Sequence, residues 1–466
     1  MTRIFGHYVA LEMFVLWLFE FLPCFLMLYL LLAEAAVPGS DSGTGWVDLT
    51  AADHAAVLAL TIGLASIAIG LYRPEICLQT RRLLINATAA GLLAAPASLA
   101  VAAAVGIDLG RLLDHGLTRP LQILLVWIVF LFTTRLLFSM AMRLNVFARR
   151  VLIIGSAPSA ARIEEAIRSL RRGSFLVAGI APAGGSGGGS GGDAAAALEL
   201  SPPTLRRQRI WGVVVTSDAR GSVPVGELLR SKRAGVRIFS DVEFREQQLR
   251  RIDLDHLEPD WMLFADGLAC SRLEMAGRRA GDILVSLLLM IATLPVMALT
   301  AALIRLDSPG PVLYRQERVG LHGRVFTLFK FRSMRQDAEA RGPAWAAQQD
   351  PRVTRVGAFI RRARIDELPQ LINVLKGEMG FVGPRPERPH FVDQLAEVIP
   401  FYRDRACVKP GITGWAQVNY PYGASIEDAR QKLSYDLYYV KHRNLFLDVL
   451  ILFATVRVIL FQEGAR

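Results

Sequence analysis

The sequence predicts a membrane protein of mixed α and α/β class, built in three parts. Three observations carry this. Hydrophobic residues make up 52% of the 466, and many are bunched into long runs near the N-terminus. Between about 150 and 270, short apolar runs alternate with helical patterns, which implies a parallel sheet. The last third gathers arginines, an acidic pair and Gly-Pro turns behind one more long apolar run. The expected boundaries are a four-helix transmembrane bundle at 1–148, an α/β module at 149–268 and a C-terminal domain at 269–466.

Four apolar stretches, at roughly 11–37, 55–72, 83–105 and 120–142, each approach the ~20 residues that a helix needs to cross a bilayer. Lipid offers the backbone no hydrogen bonds, so helices are the expected form. The loop at 36–54 carries Asp41, Asp48 and Asp53 and no Lys or Arg, whereas the next carries Arg73, Arg81 and Arg82. The third is mixed, with Asp108, Arg111 and Asp114, and Arg143, Arg149 and Arg150 follow the fourth helix. The positive-inside rule then places both ends of the bundle in the cytoplasm. A cleaved signal peptide is the competing reading of the first run, because Ala33-Glu34-Ala35 resembles a cleavage site. That run exceeds the ~7–15 apolar residues of a signal core. Glu12 and Glu20 lie within it and are expected near the interface or in a helix contact.

The middle part reads as a Rossmann-like module. Val151 to Gly155 is a buried strand ending in a turn, and a helix pattern runs from Ala157 to Arg172. Phe175 to Ile180, Trp211 to Thr216 and Val236 to Phe239 are further strands, with Glu227 to Arg233 helical. The stretch 184–192 is almost pure Gly and Ser, a flexible loop. A dinucleotide fingerprint needs three glycines. Gly155-Ser156-Ala157-Pro158-Ser159-Ala160 keeps only the first, so a structural or regulatory module is expected.

The C-terminal part opens on an apolar run from Ile283 to Ile304, interrupted by Pro295. Arg272, Arg278 and Arg279 precede it; Arg305, Arg315, Arg318 and Arg324 follow. Both ends therefore favour the cytoplasm, and proline removes a backbone donor and kinks a helix. A re-entrant helix at 282–304, broken at Thr293, Leu294 and Pro295, satisfies both facts. A kinked spanning helix is the competing reading and would carry Lys330 outside. Leu445 to Phe461, apolar with Arg457, is expected as an interfacial helix; a fifth span is the alternative.

Lys plus Arg total 53 against 42 Asp plus Glu, a net charge of +11. Such a surplus suits nucleic acid, anionic lipid or a phosphorylated substrate. The arginines cluster with membrane and acidic motifs rather than interleaving with aromatics, which disfavours nucleic acid. Cys24, Cys77, Cys270 and Cys407 form no CxxC, so neither a zinc site nor a disulfide framework is expected.

The chemistry is concentrated after residue 307. Ser308-Pro309-Gly310-Pro311 leads to Gln316-Glu317-Arg318-Val319-Gly320, then to Lys330-Phe331-Arg332-Ser333-Met334. Arg361-Arg362-Ala363-Arg364-Ile365-Asp366-Glu367-Leu368-Pro369-Gln370 follows. Next come Asn373-Val374-Leu375-Lys376-Gly377-Glu378-Met379, Gly383-Pro384-Arg385-Pro386-Glu387 and Lys409-Pro410-Gly411-Ile412-Thr413-Gly414. Adjacent carboxylates on a helix point about 100° apart, so Asp366 and Glu367 divide their tasks. One can face a substrate while the other holds a metal. Mg²⁺ commonly uses one or two carboxylates plus substrate phosphates. Arginine forks match phosphate oxygens. A carboxylate can attack phosphorus, with the surrounding positive charge easing its approach. Taken alone, the pair also reads as a solvated helix start with i,i+4 ion pairs.

These motifs, in this order, resemble the bacterial sugar transferase family, monotopic polyprenyl-phosphate phosphoglycosyl transferases, over about residues 270–466. The opening Thr2-Arg3-Ile4-Phe5-Gly6-His7-Tyr8 and the layout are similar to large members associated with exopolysaccharide and PEP-CTERM sorting systems. The resemblance implies transfer of a sugar 1-phosphate from a UDP-sugar to a polyprenyl phosphate, with UMP released. It implies Asp366 as nucleophile and Glu367 as the Mg²⁺ ligand. Lys330, Arg332, Arg361, Arg364 and Arg385 fall in the family's phosphate-binding motifs, and Asp436 matches a further active-site acid. It also implies a bacterial inner-membrane location with the catalytic part cytoplasmic, and a homodimer through the N-terminal part. Many relatives break the re-entrant helix at Ser-Pro; Leu294 replaces that serine here, with Thr293 one position earlier. Basic residues such as Arg278, Arg279 and Arg305 would gain about 1 kcal/mol each near anionic headgroups. Two other classes, a ligand sensor built on the middle module and a non-catalytic scaffold for polysaccharide export, leave the acidic pair unexplained. The sugar itself is not named by the sequence.

Overall fold

The computed structural model describes residues 2–4, 7–9, 11–35, 49–72, 80–106, 118–169, 175–182, 201–257, 259–268, 271–335, 350–420, 423 and 425–460. The glycine-rich loop at 184–192 lies outside them. Two short strands, β1 (Thr2–Ile4) and β2 (His7–Val9), pair at the start. The rest divides into two compact units, the second beginning at Arg250.

The first unit starts with four long helices: α1 (Leu11–Ala35), α2 (Leu49–Ile69), α3 (Thr80–Val105) and α4 (Thr118–Arg143). Each holds a segment long and apolar enough to cross a membrane. Small residues let the first three approach: Ala51, Ala55 and Ala102 are buried with Leu32, as expected where lipid supplies no hydrophobic drive. Met13 and Leu16 of α1 pack on Phe138 and Met142 of α4. Leu92, Leu137 and Phe19 point outward. Glu20 makes a helix contact, one of the two expected outcomes. Its carboxylate accepts from Arg135 Nη2 at 2.7 Å and from Tyr72 Oη at 2.7 Å. Arg135 also donates to the carbonyl of Leu71 and lies 4.4 Å over the Tyr72 ring. The buried charge is thus paired inside the helices. The side chain of Glu12 lies outside the described residues.

An α/β module follows. Strands β3 (Arg149–Ile154), β4 (Phe175–Ala181), β5 (Ile210–Val215) and β6 (Arg237–Ser240) form one parallel sheet in the order β4-β3-β5-β6. Alternation along β3 and β5 explains its two cores. Leu152, Ile154, Val213 and Val215 face Leu205 of α6 (Pro202–Arg207) and Leu228 of α7 (Val225–Arg233). Val151, Ile153 and Val214 face Ile163 of α5 (Ala157–Ser169) and Phe244 of α8 (Asp241–Leu249). The turn after β3 needs glycine, since a Cβ on Gly155 would lie 1.8 Å from Thr216 Oγ1. The amide of Ser156 donates to Asp218 at 3.0 Å. That internal carboxylate sits at the start of α5, where a dinucleotide phosphate would bind in the full fingerprint.

The second unit takes up residues 250–268, which the sequence reading placed in the middle module. Ile252 N–H donates to Ser434 O at 2.9 Å, and Trp261 Nε1 donates to Asp404 at 3.2 Å. Then comes α9 (Arg272–Asp307), opened by a Ser271–Glu274 capping box. Helical backbone is continuous past Thr293, Leu294 and Pro295 and extends beyond the predicted 282–304 at both ends. Thr293 Oγ1 bonds the Leu289 carbonyl at 2.6 Å, the i−4 carbonyl one turn back.

Both arms of α9 pack on the same unit. Arg279 donates to the carbonyls of Val374 and Leu375 at 2.6 and 2.7 Å, and Asp282 accepts from Phe381 N at 2.8 Å. Near the other end, Ile304 is buried with Phe331 and Ile360. Between these contacts Leu288, Ile291, Leu294 and Leu299 are exposed, an apolar band that calls for lipid or a partner.

Beyond α9, strands β7 (Leu313–Val319) and β8 (Val325–Phe331) form an antiparallel hairpin. Helices α10 (Arg355–Arg362) and α11 (Gln370–Lys376) flank a 3₁₀ turn at Ile365–Glu367. Strand β9 (Gly380–Val382) pairs in parallel with β10 (Gly411–Thr413), with α12 (Pro389–Val398) between them in sequence. Helices α13 (Trp415–Asn419), α14 (Ile426–His442) and α15 (Leu445–Leu460) complete the core, where Trp415, Leu437, Tyr439 and Ile451 are buried. At 16 residues, α15 is shorter than the ~20 of a span. Its Asp448 pairs with Arg278 and accepts from Tyr439 Oη.

Candidate active site

The acidic pair sits on a tight turn between two helices. Thr354 caps α10, accepting from Gly357 N at 3.0 Å. Arg364 then adopts a left-handed conformation, φ 59°, which is costly for a residue with a Cβ. It reverses the chain into the 3₁₀ turn, and Ile365 and Leu368 anchor that turn against Ile304, Phe331 and Ile360. Asp366 and Glu367 are both buried.

Three cations converge on one oxygen of Glu367. Arg385 Nη2 lies 2.7 Å, Lys330 Nζ 3.2 Å and Arg364 Nη1 3.7 Å from Oε1. Lys330 is set by β8, and β8 is fixed to α11 by the fully buried Asn373. Its amide donates to Thr327 O at 2.7 Å and accepts from Phe329 N at 3.1 Å. Arg385 stands on the turn after β9. That turn needs glycine, because a Cβ on Gly383 would lie 2.3 Å from the Lys409 carbonyl.

The environment separates the two carboxyls. Burial alone would push Glu367 up, but Arg385, Lys330 and Arg364 outweigh it and hold the group well below the usual carboxylate range. Asp366 goes the other way: burial raises it, aided by the Glu367 charge, against Lys330 and Arg361. Lys330 is lowered by burial and by Arg385, with Glu367 opposing. Two neighbouring groups pushed in opposite directions suit divided roles.

Arg361 lies close enough to act on Asp366 electrostatically, and its Nε donates to Ser333 Oγ at 3.0 Å. Arg332 is placed elsewhere. Its guanidinium donates to Ser308 O at 2.6 Å and Pro309 O at 2.8 Å, closing the end of α9. These donors are engaged by part-buried carbonyls, and Arg332 is not among the cations on Glu367. Asp436 pairs with Arg405 at 2.7 Å. Burial pushes its carboxyl up to about 6 in spite of Arg405. Arg405 Nη2 also donates to the Arg385 carbonyl at 2.8 Å, so Arg405 bridges Asp436 and the Arg385 turn. Sequence reasoning missed Arg405, which stands in no motif, and the role of Asn373, which stands in one.

A cleft with about 290 Å³ of interior space opens beside Glu367. Glu367, Arg364 and Arg385 line one part, and Asp436, Arg405 and Lys432 another. Leu289, Leu371, Ile412 and Ile459 form an apolar wall. Among the described residues no group of three or more His, Cys, Asp or Glu could cage a metal. Oε1 of Glu367 already carries Arg385, Lys330 and Arg364, so an ion such as Mg²⁺ would have to use its other oxygen, with substrate phosphates completing the shell. The site therefore combines a buried carboxylate, a cationic rim and an apolar side. That is suited to phosphoryl transfer between a charged donor and a lipid.

The family profile described as Bacterial sugar transferase matches residues 273–462. A UDP-N-acetylgalactosamine-undecaprenyl-phosphate N-acetylgalactosaminephosphotransferase of Aeromonas hydrophila is 44% identical over 256 residues, 54% of this chain and 60% of its own length. An undecaprenyl-phosphate glucose phosphotransferase of Komagataeibacter xylinus is 43% identical over 201 residues, 42% of this chain and 38% of that protein. Both are thus matched over less than two thirds of their length. The exopolysaccharide production protein PSS of Rhizobium leguminosarum bv. phaseoli is 41% identical over 193 residues, 40% of this chain and 95% of that protein. The match runs through the hairpin, the acidic turn and the Arg385 turn, and on it the chain belongs to the bacterial sugar transferase family.

Proposed function

We propose that this protein is an undecaprenyl-phosphate sugar-1-phosphate transferase that starts a glycan, such as an exopolysaccharide, on its lipid carrier. The observation that carries the reading is the buried Asp366–Glu367 turn, with Lys330, Arg364 and Arg385 gathered on Glu367 at the edge of a half-apolar cleft. In this reading the Asp366 carboxylate attacks the sugar-bearing phosphorus of the UDP-sugar. The bond from that phosphorus to the bridging oxygen breaks, and UMP leaves with the electron pair. An oxygen of the polyprenyl phosphate then attacks the same phosphorus, and the bond to Asp366 breaks. The carboxylate is restored and a polyprenyl-diphosphate sugar departs.

Lys330, Arg361, Arg364 and Arg385 bind and orient the diphosphate and spread its charge. Glu367 would hold Mg²⁺, which would supply positive charge to offset that of the leaving UMP. Leu289, Leu371, Ile412 and Ile459 take the first isoprene units. Helices α1 to α4 form a transmembrane bundle, and the sheet β4-β3-β5-β6 forms a Rossmann-like module. The family and the apolar helices support a bacterial inner membrane with the catalytic part on its cytoplasmic face.

The test is UMP release from a panel of UDP-sugars with Mg²⁺, with and without undecaprenyl phosphate. Acceptor-dependent UMP from one donor supports the reading and names the sugar. No UMP from any donor, with folded protein, favours the export scaffold instead.

A further inference from the structure

The α/β module is electrically polarised along its strands. In a parallel sheet every strand starts at the same end. Register confirms the shared end here, with Arg149 beside Phe175, Arg150 beside Ile210 and Gly212 beside Arg237. Exposed cations crowd it. Arg207 and Arg209 stand just before β5, Lys232 and Arg233 close α7, and Arg237 opens β6. Arg206 donates to the Ala234 carbonyl at 2.8 Å, so the ends of α6 and α7 meet there. Arg149 and Arg237 each place a guanidinium 5.1 Å from the Trp211 ring. The opposite end carries Asp218, Glu227, Asp241 and Glu243 against Arg220.

The chain enters the basic end directly from an apolar helix. After α4, Asn145 is left-handed with φ 55°, and Val146 N–H donates to the Ala141 carbonyl at 3.0 Å, a Schellman-type closure. Phe147 stacks on Phe138, centroids 5.4 Å apart. Only residues 144–148 separate Arg143 from Arg149, a reach of at most about 20 Å.

We infer that the strand-start end of the module is a docking surface for anionic lipid headgroups on the membrane from which α4 emerges. The proposal goes beyond sugar transfer and needs only that α4 ends in that membrane. Strands of six residues span about 20 Å, and charge is screened over ~8 Å at physiological salt. The basic end therefore feels the surface potential while the acidic end stands clear of it. The attraction of one and the distance of the other fix which end faces the lipid. Trp211, flanked by two arginines, is the aromatic type enriched at membrane interfaces.

The experiment uses the full chain in nanodiscs, with its four cysteines replaced. A fluorophore is placed at Gln208→Cys near the basic end or at Gly221→Cys near the acidic end. The discs carry a headgroup-nitroxide lipid in phosphatidylcholine, with or without phosphatidylglycerol. The expected result is stronger quenching at 208 than at 221, increased by phosphatidylglycerol. Raising salt to about 0.5 M should shrink that increment at least roughly twofold. Arg207→Glu with Lys232→Glu and Arg237→Glu should remove it, and the Arg207→Lys, Arg237→Lys pair should keep it. Equal quenching at the two labels, or a signal at 208 indifferent to phosphatidylglycerol and salt, would overturn the proposal. The salt arm needs no charge variant, so misfolding of the triple mutant cannot decide the outcome.

Discussion

Arg385 donates to Glu367 Oε1 across 2.7 Å, and its own carbonyl is held at 2.8 Å by Arg405, the partner of Asp436. Four charged residues in line, Glu367, Arg385, Arg405 and Asp436, thus tie the acidic turn to α14. Lysine at 405 would keep the charge and lose the fork. We expect Arg405→Lys to lower kcat/KM about 10-fold or more, by analogy with the loss of supporting partners at other charged sites. Because Arg405 touches Arg385 and not the reaction centre, the Mg²⁺ titration should move little. A Mg²⁺ midpoint that shifts as far as kcat/KM would refute the positioning role.

Asp366→Asn should abolish turnover, by at least about three orders of magnitude, because an amide is a poor nucleophile. Trapping labelled sugar phosphate on the protein gives a second readout, with label expected on wild type and none on the variant. Glu367→Gln should instead raise the Mg²⁺ needed for half-maximal rate about 10-fold or more. An unchanged titration would remove Glu367 as a metal ligand.

The pH profile follows from the opposed carboxyls. In the proposed mechanism attack needs ionised Asp366, whose pKa is raised, so activity should be lost on acidification earlier than an ordinary carboxylate would allow. Glu367 stays ionised through that range, because its pKa is depressed. Lys330 lowers the Asp366 pKa, so Lys330→Met should move the acid limb of kcat to higher pH. Asp436, pushed up to about 6, loses its charge and its hold on Arg405 below that pH. Asp436→Asn should therefore flatten the profile near pH 6. A limb that ignores both substitutions would refute the assignment.

Arg332 separates structure from chemistry. Arg332→Met strands the Ser308 and Pro309 carbonyls and should cost about 1–3 kcal/mol of stability, seen as a lower Tm. The folded fraction should keep near-normal KM for the UDP-sugar. A raised KM at unchanged Tm would restore the phosphate contact.

The two arms of α9 contact one folded unit, through Arg279 on α11 and Ile304 beside Phe331. That favours entry and return on the same side of the membrane. An Arg324→Cys label should be unreachable by an impermeant thiol reagent in intact cells. Labelling from outside would establish a spanning helix.

Much of the site was legible because chemistry was written into short spacings. Asp366 and Glu367 are adjacent, and Arg361 and Arg364 lie within one or two turns of them, so local sequence already placed them together. Lys330 and Arg332 look equivalent, two apart and of one sign. The strand ends at Phe331, so Lys330 stays on the ladder facing Glu367 while Arg332 turns into the end of α9.

Sequence by itself determined the apolar helices, the parallel strands and the acidic turn, because hydrophobic periodicity and residue adjacency are properties of the chain alone. Tertiary structure decided that Arg385 and Lys330 converge on Glu367 and that Arg405 links Asp436 to Arg385. Those outcomes depend on contacts between residues 18 to 37 positions apart or further. Burial then divides the pKa values of two adjacent carboxyls. Neither long-range partners nor local desolvation exist until the chain has packed.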